Sequence, residues 1–111
     1  MLTLPGQARI FFKLEPIDMR KSFEGLMTAV QETFKEEAVT SGAYFVFLNK
    51  LRNRMKVLYW DRDGLAIWYK RLEKGHFTPG QLNKNSLDRR EFLMLLEGIT
   101  PKRLQVRFTL S

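Results

Sequence analysis

The sequence predicts an α+β domain: a mostly antiparallel sheet of about five strands, one long helix packed on a face, and a short C-terminal helix. Three observations predict it. Short apolar runs punctuated by Gly, Pro, Asn and Asp read as strands. Apolar residues at helical spacing between Met19 and Phe34 mark a helix. An Asp-Gly turn joins two aromatic-rich runs between Arg54 and Leu72 into a hairpin. At 111 residues the chain is read as a single domain, 1–111.

Along the chain, Ala8 to Leu14 sets Ile10, Phe12 and Leu14 against Arg9, Phe11 and Lys13, the alternation of a half-buried strand that Pro16 ends. Asp18 is placed to cap a helix over 19–36, with Met19, Phe23, Leu26, Met27, Val30 and Phe34 on its apolar stripe. Tyr44 to Leu48 is continuously apolar and rich in β-formers, as expected of a central strand covered on both faces. A polar link at Asn49–Asn53 then makes Arg54–Trp60 its antiparallel neighbour. The turn Asp61-Arg62-Asp63-Gly64 follows, with Gly64 at a position needing positive φ. A symmetric turn sets Trp60 opposite Leu65, Leu58 opposite Ile67, Lys56 opposite Tyr69 and Arg54 opposite Arg71 on one side. Met55, Val57, Tyr59, Ala66, Trp68, Lys70 and Leu72 fall on the other. The second side is the more core-like, so the first is expected to face outward. Gly75–Asn85 is a loop. Asp88 and Glu91 have capping-box spacing before a short helix carrying Phe92, Leu95, Leu96 and Ile99, ended by Gly98 and Pro101. Leu104–Leu110 alternates as a last strand at a sheet edge.

Charge is unevenly distributed. Lys50 to Lys74 holds eight basic and three acidic residues, a net of +5 out of the chain's +7, whereas Glu15 to Glu37 has a net of −3. Concentrated cations interleaved with aromatics favour an anionic polymer, nucleic acid first. Arg54, Lys56 and Arg71 are placed to meet phosphates while Trp60 and Tyr69 stack on bases. Lys70 and Lys74 extend the basic segment, and His76, the sole His, is assigned to phosphate binding or to capping the hairpin. Arg20 and Lys21 fall in the first turn of the expected helix, where cations oppose the helix dipole. Two cations there point to a contact with phosphate or with acidic groups of a partner.

Enzymatic chemistry is not expected. Without Cys, thiolate metal sites and disulfides are excluded, and one His excludes a two-His site within one chain. Asp61-x-Asp63-Gly64 lacks the further ligands of a calcium loop at the required spacing, and two of three candidate carboxylates for a two-magnesium site, Asp61, Asp63 and Glu97, sit at a turn tip. No phosphate loop, dinucleotide fingerprint or nucleophile elbow occurs, so no cofactor is expected. No apolar run approaches the roughly 20 residues that span a bilayer, and no signal peptide is read at the start. A cytoplasmic protein is expected, consistent with the absence of Cys.

Two strings, DMRKSFEGL at Asp18–Leu26 and KVLYWDRDGLAIWYKRLEKGHF at Lys56–Phe77, followed by LMLLEGI at Leu93–Ile99, carry a family resemblance. Over about three quarters of its length the chain resembles the accessory protein encoded by the second open reading frame of insertion sequence 66 family elements. That protein is often called TnpB and is unrelated to the RNA-guided nucleases sharing the name. The resemblance implies a small non-catalytic protein acting in DNA transposition beside a separate transposase, with Arg20, Lys21, Lys70 and Arg71 as the transferred residues. Ser22 stands where the family pattern leads one to expect Gly, Thr78-Pro79-Gly80 replaces an expected aromatic-Pro element, and Lys102–Ser111 extends past the usual end.

The expected function is therefore binding of DNA, at element ends or without sequence preference, or of a transposase–DNA complex, through the basic ribbon. The alternative is a protein-interaction module whose acidic helix face docks the transposase and whose cations only solubilise. Neither involves a membrane.

Overall fold

The computed structural model describes residues 2, 4–35, 37–79 and 85–97. Its elements are β1 (Ile10–Phe12), α1 (Phe23–Thr33), β2 (Tyr44–Leu48), β3 (Arg54–Asp61), β4 (Gly64–Arg71), β5 (Ser86–Leu87) and α2 (Arg89–Glu97). The five strands form one sheet in the order β4-β3-β2-β1-β5. Only β1 and β2 are parallel, joined through α1, and the other three neighbour pairs are antiparallel. The expected last strand, the 98–101 helix terminus and residue 36 lie outside the described residues.

Alternation along the strands sends side chains to two separate cores. On one face α1 lays Leu26, Ala29, Val30 and Phe34 against Phe45, Phe47 and Leu58. On the other, Ile10, Phe12, Val46, Met55 and Val57 meet Phe77 and, from α2, Phe92 and Leu95. β2 is buried along its whole length because it contributes to both, each fully buried side chain there being worth roughly 1.5–3 kcal/mol of transfer free energy. At α2 the expected capping box forms. The Glu91 N–H donates to Asp88 Oδ1 at 2.7 Å and Glu91 Oε1 accepts from the Asp88 N–H at 3.0 Å.

Three expectations are corrected. First, the single long helix over 19–36 is an 11-residue helix starting at Phe23, beside a second helix of 9 residues. The cause is local. The backbone carbonyls of Met19 and Lys21, which a helix would direct at residues 23 and 25, instead accept from Lys56 Nζ at 2.8 and 2.7 Å. Asp18 caps a turn rather than the helix: Oδ1 accepts the Arg20 N–H at 2.9 Å and its carbonyl the Lys21 N–H at 3.1 Å. Arg20 and Lys21 thus precede the helix, and the dipole argument for them falls.

Second, the β3–β4 register is the one expected, with Arg54 opposite Arg71, Lys56 opposite Tyr69, Leu58 opposite Ile67 and Trp60 opposite Leu65. That face, however, is not the outer one. The crossover helix of the parallel β1–α1–β2 unit covers its middle, so Leu58 is fully buried and Lys56 is 8% exposed. Periodicity of the hairpin alone could not register a helix contributed from elsewhere in the chain.

Third, the left-handed residue of the hairpin turn is Arg62, φ 58°, and not Gly64. The turn is closed within three residues by the Asp63 N–H donating to the Asp61 carbonyl at 2.6 Å, and Trp60 Nε1 donates to the Arg62 carbonyl at 3.0 Å. A non-glycine residue in this region is strained, and the indole contact holds it.

Candidate nucleic-acid interface

Lys56 organises the basic surface from beneath. It projects from β3 toward the chain preceding α1, gives its protons to the carbonyls of Met19 and Lys21, and lies 4.8 Å from the centroid of the Tyr69 ring opposite it. Buried ammonium groups are tolerated when their protons are satisfied, and two carbonyls and a π-face supply that here. Lys56 was expected to reach phosphate from an exposed position; its burial makes it an internal strut instead.

The strut seats the turn carrying Arg20 and Lys21 alongside the end of the hairpin carrying Arg54, Tyr69 and Arg71. Two strings far apart in sequence thereby meet. Arg54 Nη1 donates to Tyr69 Oη at 3.3 Å, leaving Tyr69 47% exposed beside the guanidinium. Arg71, the cross-strand partner of Arg54, bonds Glu73 Oε1 through Nε at 3.1 Å and Nη2 at 3.0 Å. Like charges directly opposite on one face destabilise a sheet, and these two arginines each lean away from the other onto a neutral or acidic oxygen.

In the neighbouring turn, Arg20 bonds both carboxylate oxygens of Asp18, Nε–Oδ1 at 3.2 Å and Nη2–Oδ2 at 2.7 Å, with its side chain 91% exposed. The hydrogen bonds from the Arg20 side chain, then from its backbone N–H, hold the Asp18 carboxyl down to about 2, from an ordinary 3.8. Lys21 lies across α1 where Gly25 leaves room: a Cβ at residue 25 would meet Lys21 Cβ and Cγ at 3.0 Å.

The remaining expected residues are divided. Lys70, exposed, faces away from Arg54, across from Met55 on the opposite side of the sheet. Trp60 is half-buried with its N–H committed to the turn. Lys74 is exposed in the segment after β4, and His76 Nδ1 lies 3.1 Å from the Leu51 carbonyl, an acceptor, so Nδ1 carries the proton and the ring fastens the 49–53 loop. Of the two roles weighed for His76, this contact belongs to hairpin capping. Next to it the Phe77 N–H donates to the Arg52 carbonyl at 2.6 Å.

Sequence reasoning passed over the 49–53 loop itself. Asn49 Oδ1 accepts the N–H groups of Asn53 and Arg54 at 3.0 and 2.9 Å, and Nδ2 donates to Asn53 Oδ1 at 2.7 Å. This closure places Lys50 and Arg52, both exposed, at the same end of the sheet as Arg54. A shallow cleft of about 370 Å³ separates the loop from the turn, lined by Ile17, Asp18 and Met19 on one side and by Lys50, Leu51 and Arg54 on the other. The two Asn residues four apart were the available signal.

Among the described residues no group of three or more His, Asp or Glu side chains is placed to hold a metal ion, and no helix is long and apolar enough to cross a membrane. What the fold sets out is a small α+β domain with cations gathered on one end of a mixed sheet. The chain belongs to the family of IS66 Orf2-like proteins, whose family model matches residues 8–106. It is accordingly an accessory protein associated with transposition of an insertion sequence. Among its relatives, the Sinorhizobium fredii (strain NBRC 101917 / NGR234) protein called uncharacterized protein y4jC is 30% identical over 93 residues, covering 82% of this chain and 79% of its own. A second protein of that strain, uncharacterized protein y4hO, is 32% identical over 78 residues, covering 70% and 67%. No solved structure matches the chain.

Proposed function

We propose that this accessory protein binds DNA, alone or in complex with the element's separate transposase, through the surface formed by the Asp18–Lys21 turn and the Arg54, Tyr69 and Arg71 end of the hairpin. The observation carrying this reading is the Lys56 strut, which commits a buried cation to holding Arg20 and Lys21 next to Arg54. Exposed cations at fixed spacing neutralise phosphates and release counterions, and an exposed ring beside them offers a stacking surface. Lys50 and Arg52 enlarge the same surface, whereas Lys70 lies outside it. The protein contributes binding and positioning, and strand transfer is left to the transposase.

Fluorescence anisotropy of the purified protein with duplex DNA across a salt series tests the reading. A steep fall of affinity with salt, flattened in Arg20→Ala/Lys21→Ala, is expected. Salt-insensitive or undetectable binding by the folded protein would refute it.

A second reading, docking of the transposase without nucleic acid, is favoured by the exposed side of α1. There α1 exposes Glu24 and Glu32, and Phe23 is 40% exposed. Co-purification with the transposase that survives nuclease and salt, but not Glu24→Lys/Glu32→Lys, would support it.

A further inference from the structure

We infer that β4 is a self-recognition edge, at which a second copy of this chain pairs antiparallel about a two-fold axis through Ile67. β4 ends the sheet, and among the described residues nothing pairs with its outer side. The other edge, β5, is only 2 residues long, whereas β4 has 8.

Long free edges are normally blunted by Pro, a bulge or a mid-strand charge. β4 pairs with β3 one-to-one throughout, without a bulge, and Gly64 to Tyr69 contains neither charge nor Pro. The direction of its free groups follows from the ladder. The Leu72 N–H donates to the Asn53 carbonyl at 2.8 Å, and inward and outward pairs alternate along an antiparallel strand. Leu65, Ile67, Tyr69 and Arg71 therefore turn their N–H and C=O groups to the open side.

Charge selects the occupant. The strand is preceded by Asp61 and Asp63 and ends in Lys70, Arg71 and, beyond it, Lys74. A parallel partner would set like ends together. An antiparallel second copy centred on Ile67 sets Leu65 against Tyr69 and Asp63 against Arg71, twice each by symmetry, an isologous arrangement. Leu65, Ala66, Ile67 and Trp68, each only partly buried in one chain, gain neighbours from the other. Arg71 already bonds an acid of its own chain, Glu73, at 3.0 Å, so its guanidinium accepts such a partner within reach. The pairing shares Tyr69 and Arg71 with the proposed DNA surface but is argued from the free edge itself, so it is tested without nucleic acid.

Sedimentation equilibrium of the full chain, free of nucleic acid, tests it. A species of twice the 13.1 kDa chain mass is expected at high concentration. Asp63→Arg or Arg71→Asp alone should each raise the dimer dissociation constant on the order of tenfold, by replacing two attractive cross-strand pairs with repulsive ones. The double variant Asp63→Arg/Arg71→Asp should restore association. Ile67→Pro, which removes an outward N–H without touching the β3 ladder, should abolish it, with far-ultraviolet circular dichroism confirming the fold. A wild-type monomer at every concentration, for instance because another part of the same chain covers β4, would overturn the proposal. A dimer insensitive to both charge reversals would overturn it equally.

Discussion

The ammonium of Lys56 donates to the backbone carbonyl of Lys21 at 2.7 Å, so one buried cation of the hairpin fixes the position of an exposed cation before the helix. Its second bond, to the carbonyl of Met19 at 2.8 Å, ends any helical continuation upstream of Phe23. Fold and surface are coupled at this residue: the same contacts that set where α1 begins also set where Arg20 and Lys21 stand relative to Arg54.

Replacing Lys56 by Met keeps the stem and removes the protons. Two carbonyls then lose a charged donor, and hydrogen bonds to charged groups contribute about 1.5–3 kcal/mol each. Relief from burying the ammonium offsets part of this, so Lys56→Met is expected to cost about 1–3 kcal/mol, read as a lower urea midpoint at unchanged m-value. DNA affinity should fall too, although Lys56 itself does not reach the surface.

Gly25→Ala separates helix propensity from surface geometry. In a helix interior Ala is favoured over Gly by about 1 kcal/mol, but the new methyl would press on Lys21 Cβ and Cγ at 3.0 Å. Stability is expected to stay within about 1 kcal/mol of wild type. The amide resonances of Arg20, Lys21 and Ser22 should shift, and DNA affinity should drop. Unshifted resonances would mean that Gly25 has no part in seating Lys21.

Local patterns were legible in the sequence. The hairpin register from Arg54–Arg71 to Trp60–Leu65 followed from turn symmetry, and the Asp88–Glu91 capping box from spacing. What could not be read was set by long-range contacts. Lys56 looks like any exposed strand cation until the chain 35 residues upstream folds over it. The same contact shortened α1, and helical spacing at Met19 gave no warning because Met19 is apolar in either setting. Arg62 rather than Gly64 takes positive φ because Asp61 pairs with Gly64, leaving Arg62-Asp63 as a two-residue loop whose first residue carries it, and the Trp60 indole holds the Arg62 carbonyl. The basic cluster was therefore legible in composition but not fully in membership: Lys56 left the surface and Lys50 and Arg52 joined, while Lys70 lies on the side to which strand alternation assigned it.

Asp18 offers a check by pH. Its folded-state carboxyl is held down to about 2, below the ordinary 3.8, by Arg20. A depressed carboxyl contributes stability that is complete above 3.8 and is lost as pH falls from there through about 2. Carboxyl-carbon titration by nuclear magnetic resonance should give a midpoint near the lower value. In Arg20→Ala the side-chain bonds disappear while the backbone N–H bond to Oδ1 remains. The midpoint should then rise part of the way, and a titration identical to wild type would contradict the ion pair.

Arg54 and Tyr69 touch at 3.3 Å, yet they are expected to fail differently when replaced. A phosphate-contacting cation contributes about one unit of salt slope, so Arg54→Ala should weaken single- and double-stranded DNA alike and lower the slope by roughly that amount. Tyr69→Leu keeps apolar cover over Lys56 but removes the ring. Stacking is worth about 1–3 kcal/mol per base on single strands, so this variant should lose roughly tenfold or more in single-strand affinity, with the slope unchanged and duplex binding little affected. Anisotropy titrations of both variants against both substrates at several salt concentrations give four slopes and four affinities to compare. If Tyr69→Leu and Arg54→Ala behave alike, the ring only positions the guanidinium through its hydroxyl, and base stacking should be dropped from the proposed interface.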